Sequence, residues 1–201
     1  MTSLLKINSS MFSQNGVSSR LVDEIEKQLT KKYLDLNIIT RDLAKDAVPH
    51  LDSEWINAIS TAKENRDLQQ HKKADYSDRL IEEVKQADIL LIAAPMYNFS
   101  VPSVLKAWFD HIARAGVTFK YTDNGPVGLL KNKTVYLITT RGGIHKDLPS
   151  DTQIPFIFNF LNFIGISNIK TVYAEGLNLS GDYREKSITQ AQHDISELVA
   201  A

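Results

Sequence analysis

The chain has 201 residues, enough for one domain with a continuous core, and its 43% hydrophobic and 23% charged content is that of an ordinary globular protein. A net charge of −1 gives no footing for nucleic acid or an anionic membrane surface, and the absence of Cys excludes disulfides, thiol catalysis and thiolate metal sites. No metal ligation is expected. The N-terminal stretch Met1 to Lys6 meets charge too early for a signal peptide. No apolar run approaches the roughly 18 residues of a membrane span, so a cytoplasmic enzyme with no membrane partner is expected.

Leu4, Leu5 and Ile7 predict a first strand, ending at Asn8-Ser9-Ser10. After a loop through Ser13 to Gly16, residues Val17, Leu21, Ile25 and Leu29, with Val22 beside them, form one face of a helix. Asp23 and Glu24 early and Lys31 and Lys32 late suit its dipole. A second strand is expected over 35–40. The span from Arg41 to Asp75 is polar and mixed, with a helix around Trp55, Ile56 and Ile59, and His71-Lys72-Lys73 reads as solvated surface. Tyr76, Leu80, Ile81 and Val84 form the next helix.

Ile89 to Ala94 is an unbroken apolar run, the pattern of a strand buried on both faces, and Pro95 turns the chain out of the sheet. Val101, Val104, Leu105, Trp108, Phe109 and Ile112 then fall on one helical face, with Pro102 placed to start it. Phe119 and Tyr121 alternate before a turn signal at Asp123-Asn124-Gly125-Pro126, predicting a small hairpin or extended excursion. A fourth core strand is expected over 134–140. Residues 155–164 are apolar nearly all round, with Gly165 as the stop, and a fifth strand over 169–175 precedes a final helix carrying Ile188, Ala191, Ile195, Leu198 and Val199. Strands alternating with helices imply a single flavodoxin-like α/β domain over 1–201. Its expected core is a five-stranded parallel sheet of order 2-1-3-4-5 with helices on both faces.

In that order the loops after strands 1, 3 and 4 converge at one crevice, where open α/β sheets bind ligands. The first, Asn8 to Ser19, leads hydroxyls and amides into a helix N-terminus, a place for a phosphate. It has neither G-x-x-x-x-G-K-[ST] nor G-x-G-x-x-G, which leaves a neutral cradle for a single phosphate. The plainer alternative is a capping cluster without a ligand. The second, Met96 to Phe99, offers amides and apolar faces to a flat heteroaromatic ring, or is a packed turn. The third, Thr140-Arg141-Gly142-Gly143, places two glycines where backbone approaches closely or takes positive φ. Their N–H groups suit developing negative charge and Arg141 adds a positive field, unless it is a surface ion pair.

Long segments of the chain carry a resemblance. Ala93-Ala94-Pro95-Met96-Tyr97-Asn98-Phe99, Ala113 to Thr122 (Ala-Arg-Ala-Gly-Val-Thr-Phe-Lys-Tyr-Thr) and Arg141-Gly142-Gly143-Ile144-His145-Lys146-Asp147 resemble the FMN-dependent NADH:quinone oxidoreductase and azoreductase family. Phe163-Ile164-Gly165-Ile166 and Ala174-Glu175-Gly176 add to the match. The resemblance implies a homodimer with one FMN per subunit. It also implies that Ser10, Gly16, Val17, Ser18, Met96, Tyr97, Asn98, Phe99, Thr140, Arg141, Gly142 and Gly143 contact FMN. It implies a ping-pong cycle in which NADH or NADPH reduces the flavin and quinones or azo compounds take the electrons. Relatives usually carry Ser-Gln-Ser where this chain has Gly16-Val17-Ser18, and Ser where it has Thr140. Backbone N–H groups, with Ser18 and Ser19, then remain as phosphate donors.

No obligatory catalytic side chain is expected, because the cofactor carries the chemistry. His145 and Tyr121 are candidate proton donors, and Phe99, Phe119, Tyr121 and Phe163 candidate walls for flat substrates. For Phe163 the alternative is core packing. The Phe-rich helix and the Trp108 helix are expected to contribute to the dimer interface. An electron carrier of flavodoxin type is the rival function, disfavoured by the near-neutral charge; a flavin reductase is a second.

Overall fold

The structure, a computed structural model, describes residues 1–200. Five strands form one parallel sheet: β1 (Thr2–Asn8), β2 (Leu36–Asp42), β3 (Ile89–Pro95), β6 (Thr134–Thr140) and β7 (Asn168–Ala174), in the order β2-β1-β3-β6-β7. Counting the sheet strands alone, this is the predicted 2-1-3-4-5. The two intervening strands, β4 (Phe119–Thr122) and β5 (Gly125–Gly128), form the expected hairpin, which pairs antiparallel as a separate ribbon.

The central strands explain themselves by alternation. Leu90, Ile92 and Ala94 of β3 enter one core, and Ile89, Leu91 and Ala93 the other. Successive side chains of a strand point to opposite faces, so an unbroken apolar run is what two buried faces require. The first core is closed by α3 (Leu68–Gln86), α4 (Ser103–Ile112) and α5 (Gln153–Phe163). The second is closed by α1 (Val17–Lys32) and α6 (Tyr183–Ala200).

Three expectations are corrected. α3 begins at Leu68, well before Tyr76, because Asp67 and Gln70 form a capping box that anchors a polar first turn. His71-Lys72-Lys73 therefore belongs to a helix, on whose surface Lys72 is exposed and His71 and Lys73 are half-buried. The first turn of α1 contains no acidic residue; Asp23 and Glu26 instead hold the buried ammonium of Lys6 at 2.5 and 2.6 Å. Trp108 is 0% exposed inside the chain's own core, and α4 turns Ser103, Lys106 and Asp110 outward, so its aromatic face is not available to a partner.

The mixed span after β2 also has a structural purpose. Asp52 caps the short helix α2 (Ser53–Ser60), which delivers Trp55 edge-on to Tyr76 and His111 at centroid distances of 5.6 and 4.7 Å. This aromatic lid shields the α3–α4 junction.

Candidate functional site

The carboxyl ends of β1, β3, β6 and β7 surround a crevice of about 350 Å³. It is lined by Ser10, Gly16, Val17 and Ser18 from the first loop, Met96 and Tyr97 from the second, and Thr140, Arg141 and Gly142 from the third. The predicted convergence of three loops is thus realised. Asn98, Phe99 and Gly143 stand outside this lining.

The first loop is built around a helix end left open. Gly16 is the N-cap of α1 and has no side chain to satisfy the first turn, while the earliest return to its carbonyl comes from Arg20 N–H. The N–H groups of Val17, Ser18 and Ser19 therefore precede any helical acceptor. Ser18 is 1% exposed and its Oγ has no hydrogen-bond partner. Gly16 is close-fitting: a Cβ there would lie 2.3 Å from Ser10 Oγ. Ser10 in turn accepts from Phe12 N–H at 3.3 Å and meets the Tyr97 hydroxyl at 3.5 Å, joining the first loop to the second.

The second loop leaves the sheet after Pro95, whose neighbour Met96 donates to Thr140 O at 2.9 Å. Tyr97 and Ser100 exchange both backbone bonds across Asn98 and Phe99, which have φ of +49° and +64°. Two central residues at positive φ define a type I′ turn. Asn tolerates that conformation and Phe does not, so the turn is strained at Phe99. The Thr152 hydroxyl holds Phe99 O, and Phe99's ring meets His145 edge-on at 5.6 Å.

The third loop departs most from expectation. Arg141 is 1% exposed, and its guanidinium is clamped on Asp151 at 2.8 and 2.9 Å and on Glu175 at 3.0 Å. It is a buried ion cluster rather than a surface pair, and two carboxylates neutralise the positive field anticipated for the crevice. Glu175 Oε1 also accepts from the backbone N–H groups of His145 and Lys146, both at 2.9 Å, so the cluster shapes the loop. Burial, helped by Asp151, raises the Tyr173 phenol beside it above its usual 10.0 and keeps it neutral. The glycines serve close approach rather than positive φ: a Cβ on Gly142 would stand 2.5 Å from Asn178 Nδ2, and one on Gly143 3.0 Å from His145 Nε2.

The four candidate wall residues separate into two groups. Phe119 packs on Phe163 at 4.2 Å and on Tyr121 at 5.5 Å, so Phe163 and Phe119 are substantially a packing pair with Tyr121 exposed above them. Phe99 belongs with His145 instead. The His145 ring is set by Nδ1 against Ser150 Oγ at 2.9 Å.

Phe12, Asn15, Leu177, Asn178 and Arg184 also line the crevice and were not anticipated. The loop after β7 folds back on the third loop, with N–H groups of Gly176, Leu177 and Asn178 donating to carbonyls of Gly143, Arg141 and Gly142. Gln153 was missed as well. Fully buried, it donates to the carbonyls of Ala94 and Pro95 at 3.0 and 3.1 Å and accepts from Thr139, fixing the end of β3. A Gln immediately before an apolar helix was its only trace in the sequence.

A parallel 2-1-3-6-7 sheet with a crevice over its switch point, into which the open start of α1 leads, is the arrangement of a flavodoxin-like protein. The sequence profile of the family described as "Flavodoxin-like fold" matches residues 2–199. A Cellvibrio japonicus relative named FMN-dependent NADH:quinone oxidoreductase is 46% identical over 201 residues, covering 100% of both chains. A Saccharophagus degradans relative of the same name is 49% identical, covering 98% of this chain and 92% of its own. The crystal structure of an azoreductase from Bacillus anthracis superposes with a TM-score of 0.90 at 27% identity, over 99% of each chain. The chain belongs to the flavodoxin-like FMN-dependent NADH:quinone oxidoreductase and azoreductase family.

Proposed function

We propose that this chain is an FMN-dependent oxidoreductase that moves two electrons from NADH or NADPH to quinones and to aromatic azo compounds. The observation that carries the reading is the open N-terminus of α1, with its unpartnered Ser18 Oγ, in the same crevice as the Met96 and Gly142 loops. These residues fit the cofactor. The N–H groups of Val17, Ser18 and Ser19 would hold its phosphate. The backbone of Met96 and Tyr97 and of Thr140 to Gly142 would face its ring. FMN, when bound, supplies the hydride acceptance and electron return for which no protein side chain is suited.

The protein's part is to bind, orient and shield. The Arg141 cluster and Gln153 hold two of the three loops in register from behind. The Phe99–His145 pair forms a rim, and His145, its ring held by Ser150, is a candidate to hold a proton for a reduced acceptor. Tyr121 stands on the hairpin as a second candidate. Asn98, Phe99 and Gly143 complete the loops without lining the crevice, and so are expected to affect acceptor or loop geometry more than cofactor affinity.

The reading extends to a single FMN-binding unit over 1–201, working in the cytoplasm as a homodimer. Half-buried Phe156, Phe158, Phe160 and Phe163 on α5 support the dimer, since a helix apolar on so many faces exceeds what one sheet covers. Among the described residues no helix is long and apolar enough to cross a membrane.

The test is direct. Purified protein is expected to be yellow, to bleach with one equivalent of NADH under anaerobic conditions, and to regain colour with benzoquinone. Parallel double-reciprocal lines for donor and acceptor would support a ping-pong cycle. Colourless protein that gains no activity with added FMN would overturn the reading. Bleaching without turnover of any small acceptor would favour an electron carrier, and release of free reduced flavin a flavin reductase. Sedimentation at several concentrations tests the dimer; a monomer throughout would refute it.

A further inference from the structure

The first loop poses a problem of charge. It would receive a dianionic phosphate on neutral donors alone, the backbone N–H groups of Val17 to Ser19 and the Ser18 hydroxyl, since Gly16 and Val17 carry no side-chain donor. Two cations line the crevice among the described residues, Arg141 and Arg184. Arg141 is sequestered by Asp151 and Glu175. Arg184 is exposed, and its Nη1 donates to Leu177 O at 3.1 Å, leaving most of its fork unused.

The packing of α1 on α6 locates Arg184 relative to the phosphate loop. Gln192 Nε2 donates to Glu24 Oε2 at 3.0 Å and Gln28 Nε2 to Ser196 Oγ at 3.4 Å, both across a separation of 168 residues. The helices therefore run side by side, parallel and in fixed register. The same offset sets Arg184 level with Gly16, where α1 begins. Arg184 also stands in the first turn of α6, where the helix dipole disfavours a cation, so helix stability gives no reason for an Arg there. An incoming anion does.

We propose that Arg184 is the charge-bearing anchor for the phosphomonoester bound at the start of α1, reaching across from α6 to replace the side-chain donors missing at Gly16 and Val17. The ligand is the terminal phosphate of FMN, so the inference rests on the flavin reading above. A guanidinium fork matches phosphate geometry, and Leu177 O preorients it. A nicotinamide dinucleotide carrying a 2′-phosphate shares the chemistry and is separated by the test.

Apo-protein is titrated with FMN and with riboflavin, following quenching of flavin fluorescence at several NaCl concentrations, for the natural chain, R184A, R184K and the control K186A. Lys186 is an exposed neighbour on α6 paired with Asp182. The expected result is about tenfold weaker FMN binding in R184A, the loss of one charged hydrogen-bonded contact. Riboflavin affinity should not change, the salt dependence for FMN should flatten, R184K should recover part of the loss, and K186A should match the natural chain. Equal loss of FMN and riboflavin, or unchanged FMN binding in R184A, would overturn the inference while leaving the flavin reading intact. Unchanged FMN binding with a raised KM for NADPH but not NADH would assign the charge to the dinucleotide instead, and so also overturn it. A natural chain that binds neither flavin would refute the flavin reading and the inference together.

Discussion

Replacing Arg141 by Met is the most severe test of the loop-shaping cluster. The guanidinium is 0% exposed and makes three contacts of 2.8–3.0 Å to carboxylates that are themselves only 10% and 14% exposed. Removing it leaves two desolvated anions facing each other, and breaking a buried pair this way costs about 3–5 kcal/mol. A domain of this size holds about 5–15 kcal/mol in total, so Arg141→Met should lower the melting temperature by roughly 6–20 °C. Urea denaturation followed by circular dichroism measures the loss. The triple variant R141M/D151L/E175L should recover part of it, because exchanging a whole buried cluster for apolar groups is often nearly neutral. Recovery should stay incomplete, since Glu175 and Asp151 also accept from the N–H groups of His145, Lys146 and Ile154. A loss below about 1 kcal/mol in the single variant would refute the claim that this cluster holds the third loop.

Gln153→Leu strands the carbonyls of Ala94 and Pro95 and should cost about 2–4 kcal/mol, read by denaturation, because each unpaired buried group is expensive. His111 is buried, and desolvation holds its imidazole below the ordinary 6.5 despite a bond to Pro49 O. The unfolded chain thus binds the proton first. Stability is full above pH 6.5 and falls as pH drops below it, by at most about 1.4 kcal/mol per unit, and His111→Gln should flatten that slope in urea titrations between pH 5 and 7.5. Gly128→Ala should cost about 3 kcal/mol or prevent folding, since its Cβ would lie 2.0 Å from Gly165 N; an unchanged melting curve would show that the hairpin base is not tight.

Much of this molecule was legible before its fold was known, for reasons that particular residues make plain. β3 is legible because a strand buried on both faces writes itself as an unbroken apolar run, and β6 carries a shorter one, Val135 to Ile138, between threonines. The hairpin announced itself through Asp123-Asn124-Gly125. The crevice followed from strand order alone, and Ser10, Gly16, Val17, Ser18, Met96, Tyr97, Thr140, Arg141 and Gly142 do meet there. The start of α3 was legible in the Asp67–Gln70 capping box but has no apolar period to draw attention to it. The state of Arg141 was not legible at all. Its neutralising partners lie 10 and 34 residues away, and local sequence carries no sign of which carboxylates will fold against a cation. The same holds for Arg184, whose place depends on the register of two helices at opposite ends of the chain.

The contact between Gly128 and Gly165 constrains more than stability. Leu130 N–H donates to Ile164 O at 2.9 Å beside it, so the hairpin is seated on the end of α5 backbone to backbone, with no side chain between them that could be trimmed or enlarged. Neither glycine can be exchanged alone without parting the two elements, and Phe119 and Tyr121 ride on that seat. Diversity aimed at the hairpin therefore has room at its tip and on its exposed side chains, such as Lys120, Tyr121 and Val127, but not at its base. A grafted or lengthened hairpin would have to carry both glycines with it, as one unit inherited from two distant stretches of chain.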